Sequence, residues 1–184
     1  MKQFRLLIIG LFILGFSTTT YADGKGIRAG YQASNLYYNG SGMNDMMSSF
    51  YVGITKDMKI IPMVHFGSGM EYSQIGTYTD SDNKITMHYL SIPIYAKLKV
   101  GPLYALAGAA ANIKVGEKWL ISGADTDPVI KANGFDVPVF AGIGFKVLMF
   151  SIEARYHWGT MALYDSPADP YKTQYFQLGV GVSF

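Results

Sequence analysis

Alternation of apolar residues with small or polar residues is the feature that most constrains the fold of this chain. At the carboxy terminus, every second position is apolar: Phe176, Leu178, Val180, Val182 and Phe184. The residues between them are glycine, glutamine or serine. Because successive side chains of a β-strand point to opposite faces, this stretch predicts a strand with one apolar face.

The same period of two recurs along the chain and predicts eight strands. They are expected at 26–34, 49–55, 64–73, 89–99, 103–115, 136–147, 150–158 and 175–184. The stretch 103–115 is the weak case, because its small residues do not define a face. Tight turns are expected near 56–59, 100–102 and 147–149, and the other connections are longer and polar, including 116–134. Short turns at one end and long loops at the other are typical of outer-membrane barrels, whose short turns face the periplasm.

The first 22 residues have the features of a secretory signal peptide. A positive start with Lys2 and Arg5 precedes the apolar run "LLIIGLFILGF", and small residues lead to a cleavage site after Ala22. A retained anchor helix is the alternative, but the apolar run is short for one. The leader holds two of the 15 basic residues and none of the 13 acidic residues, so the mature chain is formally neutral. The overall charge therefore gives no reason to expect nucleic-acid binding.

The two faces of the predicted strands must be assigned to lipid and to the barrel interior. The apolar face carries large side chains, whereas the opposite face carries charges that would be costly in a small core unless they were paired. A soluble lipocalin-like barrel, with an apolar ligand-filled interior, is the rival fold. The leader and the terminal Phe184 favour the membrane. The expected polar network of the lumen is Arg28, His65, Glu71, Lys97, Asp136, Glu153, Arg155 and His157.

The predicted fold class is therefore all-β, an eight-stranded antiparallel up-and-down transmembrane β-barrel formed by residues 23–184. An open sheet would leave backbone groups unpaired in lipid, so the first strand is expected to pair with the last. The absence of cysteine excludes disulfides and thiolate metal sites. The expected location is the outer membrane of a Gram-negative bacterium.

Several stretches resemble a known family of such barrels. The ending "YFQLGVGVSF" resembles the carboxy-terminal assembly signal of Gram-negative outer-membrane barrels, with Phe176, Leu178, Val180, Val182 and Phe184 as its residues. The stretches "LSIPIYAK" (90–97), "AGIGFK" (141–146) and "EARY" (153–156) resemble the PorT-like family, whose eight-stranded barrel is also that of OmpX-like proteins. The resemblance implies insertion by the barrel-assembly machinery. Members of the family include proteins linked to secretion.

The sequence offers little sign of catalysis. His65 and His157 share a face with several carboxylates, which would allow a metal site, but a structural hydrogen-bond network is the expected role. The stretch "ARYHWGT" is similar to the His-x-Ser element of lipid A deacylases, yet Gly159 stands where the nucleophilic serine would be, and Thr160 falls on the opposite face. No catalytic, cofactor or metal site is therefore predicted.

The predicted function is that of a non-enzymatic outer-membrane barrel with a side-chain-filled lumen. Eight strands leave an interior just wide enough for side chains, which argues against an open channel. The barrel is expected to be embedded in outer-membrane lipid. Its extracellular loops are expected to bind an unidentified protein partner with a role in secretion or envelope assembly. The barrel is expected to be a monomer with no nucleic-acid partner. A small porin-like channel is the alternative, and a lipid A-modifying enzyme and a soluble binder are less favoured.

Overall fold

Six of the eight predicted strands are longer in the structure than the alternating stretches of the sequence suggest. A computed structural model describes residues 22–38, 41–42, 46–80, 83–121, 124–126, 133–162 and 172–184. The strands are β1 (Ala22–Tyr38), β2 (Ser41–Gly42), β3 (Met47–Ile61), β4 (Val64–Asp80), β5 (Asn83–Val100), β6 (Leu103–Ile121), β7 (Ala124–Thr126), β8 (Phe135–Asp136), β9 (Val139–Val147), β10 (Phe150–Trp158) and β11 (Lys172–Ser183). Among these residues, no helix is long and apolar enough to cross a membrane. Apart from Ala22, the predicted leader lies outside the described residues.

Eight long strands form one antiparallel sheet that closes on itself. Each long strand pairs with its neighbour in chain order, and β11 pairs with β1 from Gly26 opposite Ser183 to Tyr37 opposite Lys172. Beyond the end of β11, the backbone of Phe184 exchanges hydrogen bonds of 2.8 and 3.1 Å with Lys25. The short segments β2, β7 and β8 are additions to this sheet. The predicted closed eight-stranded barrel is confirmed.

The outer face of the barrel is apolar over most of its height. Among the predicted assembly-signal residues, Val180 is 62% and Phe184 is 74% exposed. On β6, whose face the sequence left undefined, the even-numbered residues Tyr104, Leu106, Ala110 and Asn112 are the buried ones. Even numbers therefore face the lumen on that strand up to the bulge at Val115, and its alanines at odd numbers face outward.

Two of the three tight turns lie where the sequence predicts them. They occur at Gly101–Pro102 and at Leu148–Met149. The prediction of a turn near 56–59 is wrong, because β3 continues to Ile61 and turns at Pro62–Met63. Proline favours the first central position of a turn, and Met63 adopts a φ of 76° to complete it.

The barrel wall is much taller on one side than on the other. Strands β4, β5 and β6 have 17, 18 and 19 residues, whereas β9 and β10 have nine each. A membrane strand needs about 9–11 residues, so the long strands must extend beyond the lipid. The prediction that residues 116–134 form a single loop is therefore corrected, because β6 continues through Gly116 to Ile121 and β7 pairs with it.

Labelling of single cysteines tests the direction in which the barrel spans the membrane. Lys118 lies on the tall part of β6, and Met149 lies in a short turn at the opposite end. Because native cysteine is absent, a Lys118→Cys variant should react with an impermeant thiol reagent on intact cells, and a Met149→Cys variant should react only after lysis. The reverse pattern would overturn this orientation.

The terminal phenylalanine provides a test of the assembly signal. Phe184 closes the β11–β1 seam through its backbone and exposes its ring to the membrane side. Deleting Phe184 should lower the amount of folded barrel in outer membranes several-fold, and Phe184→Tyr, which keeps the ring, should not. Folded and unfolded forms can be separated by comparing unboiled and boiled samples on a gel. Wild-type levels of the folded form in the deletion variant would contradict the assignment.

Candidate functional site in the barrel lumen

Tyrosines fill the lower lumen because glycines on neighbouring strands make room for them. Tyr95 lies opposite Gly67 on β4, and a Cβ added to that glycine would overlap the tyrosine ring. Tyr104 lies over Gly144 of β9 in the same way. Aromatic side chains laid across glycines are a known device of narrow, strongly curved sheets. These pairs bring the walls close enough for charges on different strands to meet.

Two arginines and two glutamates meet across the middle of the lumen. Arg28 on β1 donates hydrogen bonds to Glu153 of β10, at 3.0 Å, and to Glu71 of β4. Arg155 donates to Glu71 at 3.1 Å and through Nε to Glu153 at 2.5 Å. The Tyr104 hydroxyl donates to the second oxygen of Glu153 at 2.9 Å. We call Arg28, Glu71, Glu153 and Arg155 the central cluster.

The central cluster is buried and formally neutral. Arg155 is 1% and Glu71 is 3% exposed, and the other two members are also buried. The Arg155 guanidinium also lies 5.4 Å from the ring centroid of Phe140 and 5.8 Å from that of Tyr95. A buried charge without a partner costs several kcal/mol, so each member depends on the others. The cluster therefore ties three strands together across the lumen.

A second ion pair lies below the central cluster, nearer the short turns. Lys97 donates to Asp57 at 2.5 Å, and the Tyr95 hydroxyl donates to the same carboxylate at 2.8 Å. The sequence placed Lys97 in the lumen but assigned Asp57 to a turn. The continued alternation of β3 was the signal that could have located Asp57, because Tyr51, Gly53, Thr55 and Asp57 share one parity.

Above the central cluster, His157 is held in a stack of rings. Its imidazole lies between Phe140 and Tyr175, with ring centroids 4.7 and 4.2 Å away. Its Nε2 donates to the side-chain oxygen of Gln177 at 3.0 Å, and Gln177 in turn donates to Gln32 at 2.9 Å. Among the residues that the structure describes, the imidazole thus lies against two aromatic rings and an amide.

Asp136 and His65 lie apart from the central cluster. The Asp136 carboxylate accepts hydrogen bonds from the backbone N–H groups of Val137 and Met161 and from the Thr173 hydroxyl. Among the described residues, the partners of this carboxylate in the expected polar network are therefore two backbone N–H groups and a hydroxyl. His65 is buried on β4 in register with Lys97, near the lower ion pair.

The loop end of the lumen contains a buried apolar cluster among polar groups. The cluster consists of Leu36, Ile75, Met87, Tyr89 and Tyr175. Beside it, the Asn112 amide donates to the hydroxyl of Tyr175 at 3.3 Å, and the Thr77 hydroxyl donates to the Asn35 side-chain oxygen at 3.2 Å. The buried polar groups at this end thus hydrogen-bond to other side chains of the lumen.

The lumen groups have little chemical freedom. The carboxylates of the central cluster already accept hydrogen bonds from arginine, so neither is placed as a general base. In the described part of the chain, no group of three or more histidines and carboxylates could hold a metal ion. The arrangement serves to cross-link the walls and to fill the space between them.

Comparisons with known proteins agree with the fold. Residues 9–165 match the family model described as outer membrane protein beta-barrel domain. The crystal structure of Neisserial surface protein A is similar, at 14% identity and a TM-score of 0.63, over 90% of this chain and 100% of that chain. The attachment invasion locus protein Ail of Yersinia pestis is similar at 17% identity and a TM-score of 0.55, over 90% of this chain and 100% of that chain. No curated protein sequence matches significantly.

The central cluster makes a measurable prediction about stability. Arg155→Ala should lower the free energy of unfolding by about 3–5 kcal/mol, because two buried carboxylates lose a partner. The double variant Glu153→Gln with Arg155→Met removes one charge of each sign. Its loss of unfolding free energy should therefore be smaller than the sum of the losses in the Glu153→Gln and Arg155→Met single variants. The free energy of unfolding of each variant is measured by urea unfolding of the refolded barrel, with tryptophan fluorescence as the signal. Additive losses in the double variant would contradict the coupling of these two residues.

Proposed function

Because the chain belongs to the outer membrane protein beta-barrel domain family, we propose that it is a non-enzymatic, non-conducting barrel that presents its extracellular edge to a partner protein. Its place is the outer membrane of a Gram-negative bacterium. We further propose a kinship with PorT-like and OmpX-like barrels, supported by the stretches 90–97, 141–146 and 153–156.

The filled lumen is the observation that carries this proposal. An ion reaching the central cluster from the turn end would have to displace four mutually bonded charges. Above that level it would meet the stacked rings of Phe140, His157 and Tyr175, and then the apolar cluster around Met87. Displacing a buried ion pair costs several kcal/mol, so no ready path for solutes runs along the axis.

The geometry around His157 supports a role without catalysis. A Ser-His-acid mechanism requires a hydroxyl within hydrogen-bond distance of the imidazole and a carboxylate that orients it. Here Nε2 donates to Gln177, and aromatic rings cover both faces of the imidazole. The described contacts of this imidazole therefore do not include an activated nucleophile.

The tall wall offers a surface for a partner. An outward belt of aromatic residues includes Phe50 and Tyr72, whose ring centroids lie 6.2 Å apart, and marks the level where lipid meets headgroups. Tyr72 is in register with Leu90, so β5 extends past the belt from Leu90 back to Asn83. We propose that this projecting sheet and its loops bind a protein of secretion or envelope assembly.

Planar-bilayer recording tests the sealed lumen. The purified wild-type barrel should give no steady nanosiemens-scale conductance. The double variant Arg155→Ala with Tyr175→Ala truncates one side chain in each of two layers and should show brief openings. Val180→Ala, a truncation on the lipid-facing side, should remain silent. A steady open channel from the wild-type barrel would make a porin-like function the better proposal.

A further inference from the structure

A small cavity lies in the lumen at the end that carries the short turns and the chain termini. Its volume is about 30 Å³, and its walls include Gly26, Thr55, Ser151 and Ser183. A water needs roughly 10–15 Å³ by this measure, so the cavity holds about two or three atoms of oxygen size. It lies below the central cluster, and its walls also include Arg28 and Glu153 of that cluster and the Lys97–Asp57 pair.

Three hydroxyl groups lie against the bare backbone of two glycines. Gly26 is in register with Thr55 on one side and Ser183 on the other. A Cβ added to Gly26 would lie 3.1 Å from Thr55 Oγ1 and 3.6 Å from Ser183 Oγ. At Gly181, an added Cβ would lie 2.7 Å from Ser151 Oγ. The glycines thus form a cradle lined with hydrogen-bond donors.

The cavity walls carry more cations than carboxylates. Arg28 and Lys97 are compensated by the glutamates and by Asp57 through the ion pairs described above. Lys146 is a further cation of the wall and carries positive charge into the cavity. Lys146 is half-buried, faces the lumen beside Ser151, and has no ion-pair partner among the residues that the structure describes.

We infer that this cavity, the periplasmic cradle, binds a phosphate group, either as inorganic phosphate or as the headgroup of a membrane lipid. Hydroxyl donors and a lysine ammonium are suited to phosphate oxygens, and lysine acts on phosphate as a point charge. The cavity volume admits about two or three of the oxygens of one phosphate, and the rest of the group, with any organic portion, would have to remain at the mouth. This site goes beyond the proposed function, because it faces the opposite side of the membrane from the partner surface.

Titrations of the full-length mature barrel test the site. The ¹⁵N-labelled protein, refolded in maltoside micelles free of phosphate, is titrated with sodium phosphate against sodium chloride at equal ionic strength. A second titration compares dihexanoyl phosphatidic acid with dihexanoylglycerol, which differs by the missing phosphate. The backbone amide signals of Gly26, Ser151 and Gly181 are followed. Saturable shifts with inorganic phosphate point to the free anion, and shifts with phosphatidic acid alone point to a lipid headgroup.

Three variants test whether phosphate binding depends on Lys146. Lys146→Ser should weaken it at least about tenfold, the change that corresponds to about 1.4 kcal/mol. Lys146→Arg keeps the charge and should keep the affinity. Lys118→Ser removes an exposed lysine from the other end of the barrel and should leave the affinity unchanged. The inference is overturned if neither titration saturates in the wild type, if Lys146→Ser binds as tightly as wild type, or if Lys118→Ser weakens binding equally.

Discussion

Closure of the sheet between β1 and β11 is the constraint on which the rest of the structure depends. In lipid there is no water to satisfy a free strand edge, and each unpaired backbone group costs several kcal/mol. The seam runs over the whole length of β11 and is extended by the backbone of Phe184. Once eight strands are closed, the diameter is fixed, and the lumen is too narrow to hold bulk water.

A narrow lumen forces the inward side chains to satisfy one another. Large residues must lie over small ones, which explains why Tyr95 and Tyr104 face Gly67 and Gly144. Six inward charges lie against opposite charges in two neutral groups, the central cluster and the Lys97–Asp57 pair. Because the partners lie on different strands, the same contacts that neutralise the charges also hold the strand register.

The period of two in the sequence was enough to predict the barrel, its strand number and the inward parity of most strands. It could not locate the turn after β3, because Asp57 and Lys59 resemble turn residues until the ion pair with Lys97 is known. It could not place Asp136 either, whose partners are a backbone segment and a threonine brought close by β8 and β11. Pairings across a lumen depend on the stagger between strands, which alternation along one strand does not encode.

The two ends of the lumen satisfy their buried polar groups in different ways. At the turn end, charges pair with one another in the central cluster and in the Lys97–Asp57 pair. At the loop end, the apolar cluster around Met87 lies among polar groups: Lys114 forms an ion pair with Glu117, and Asp136 accepts hydrogen bonds from backbone N–H groups and a hydroxyl. A buried polar group without a partner is costly. The central cluster is therefore stable in a filled lumen because its four charges pair with one another rather than with solvent.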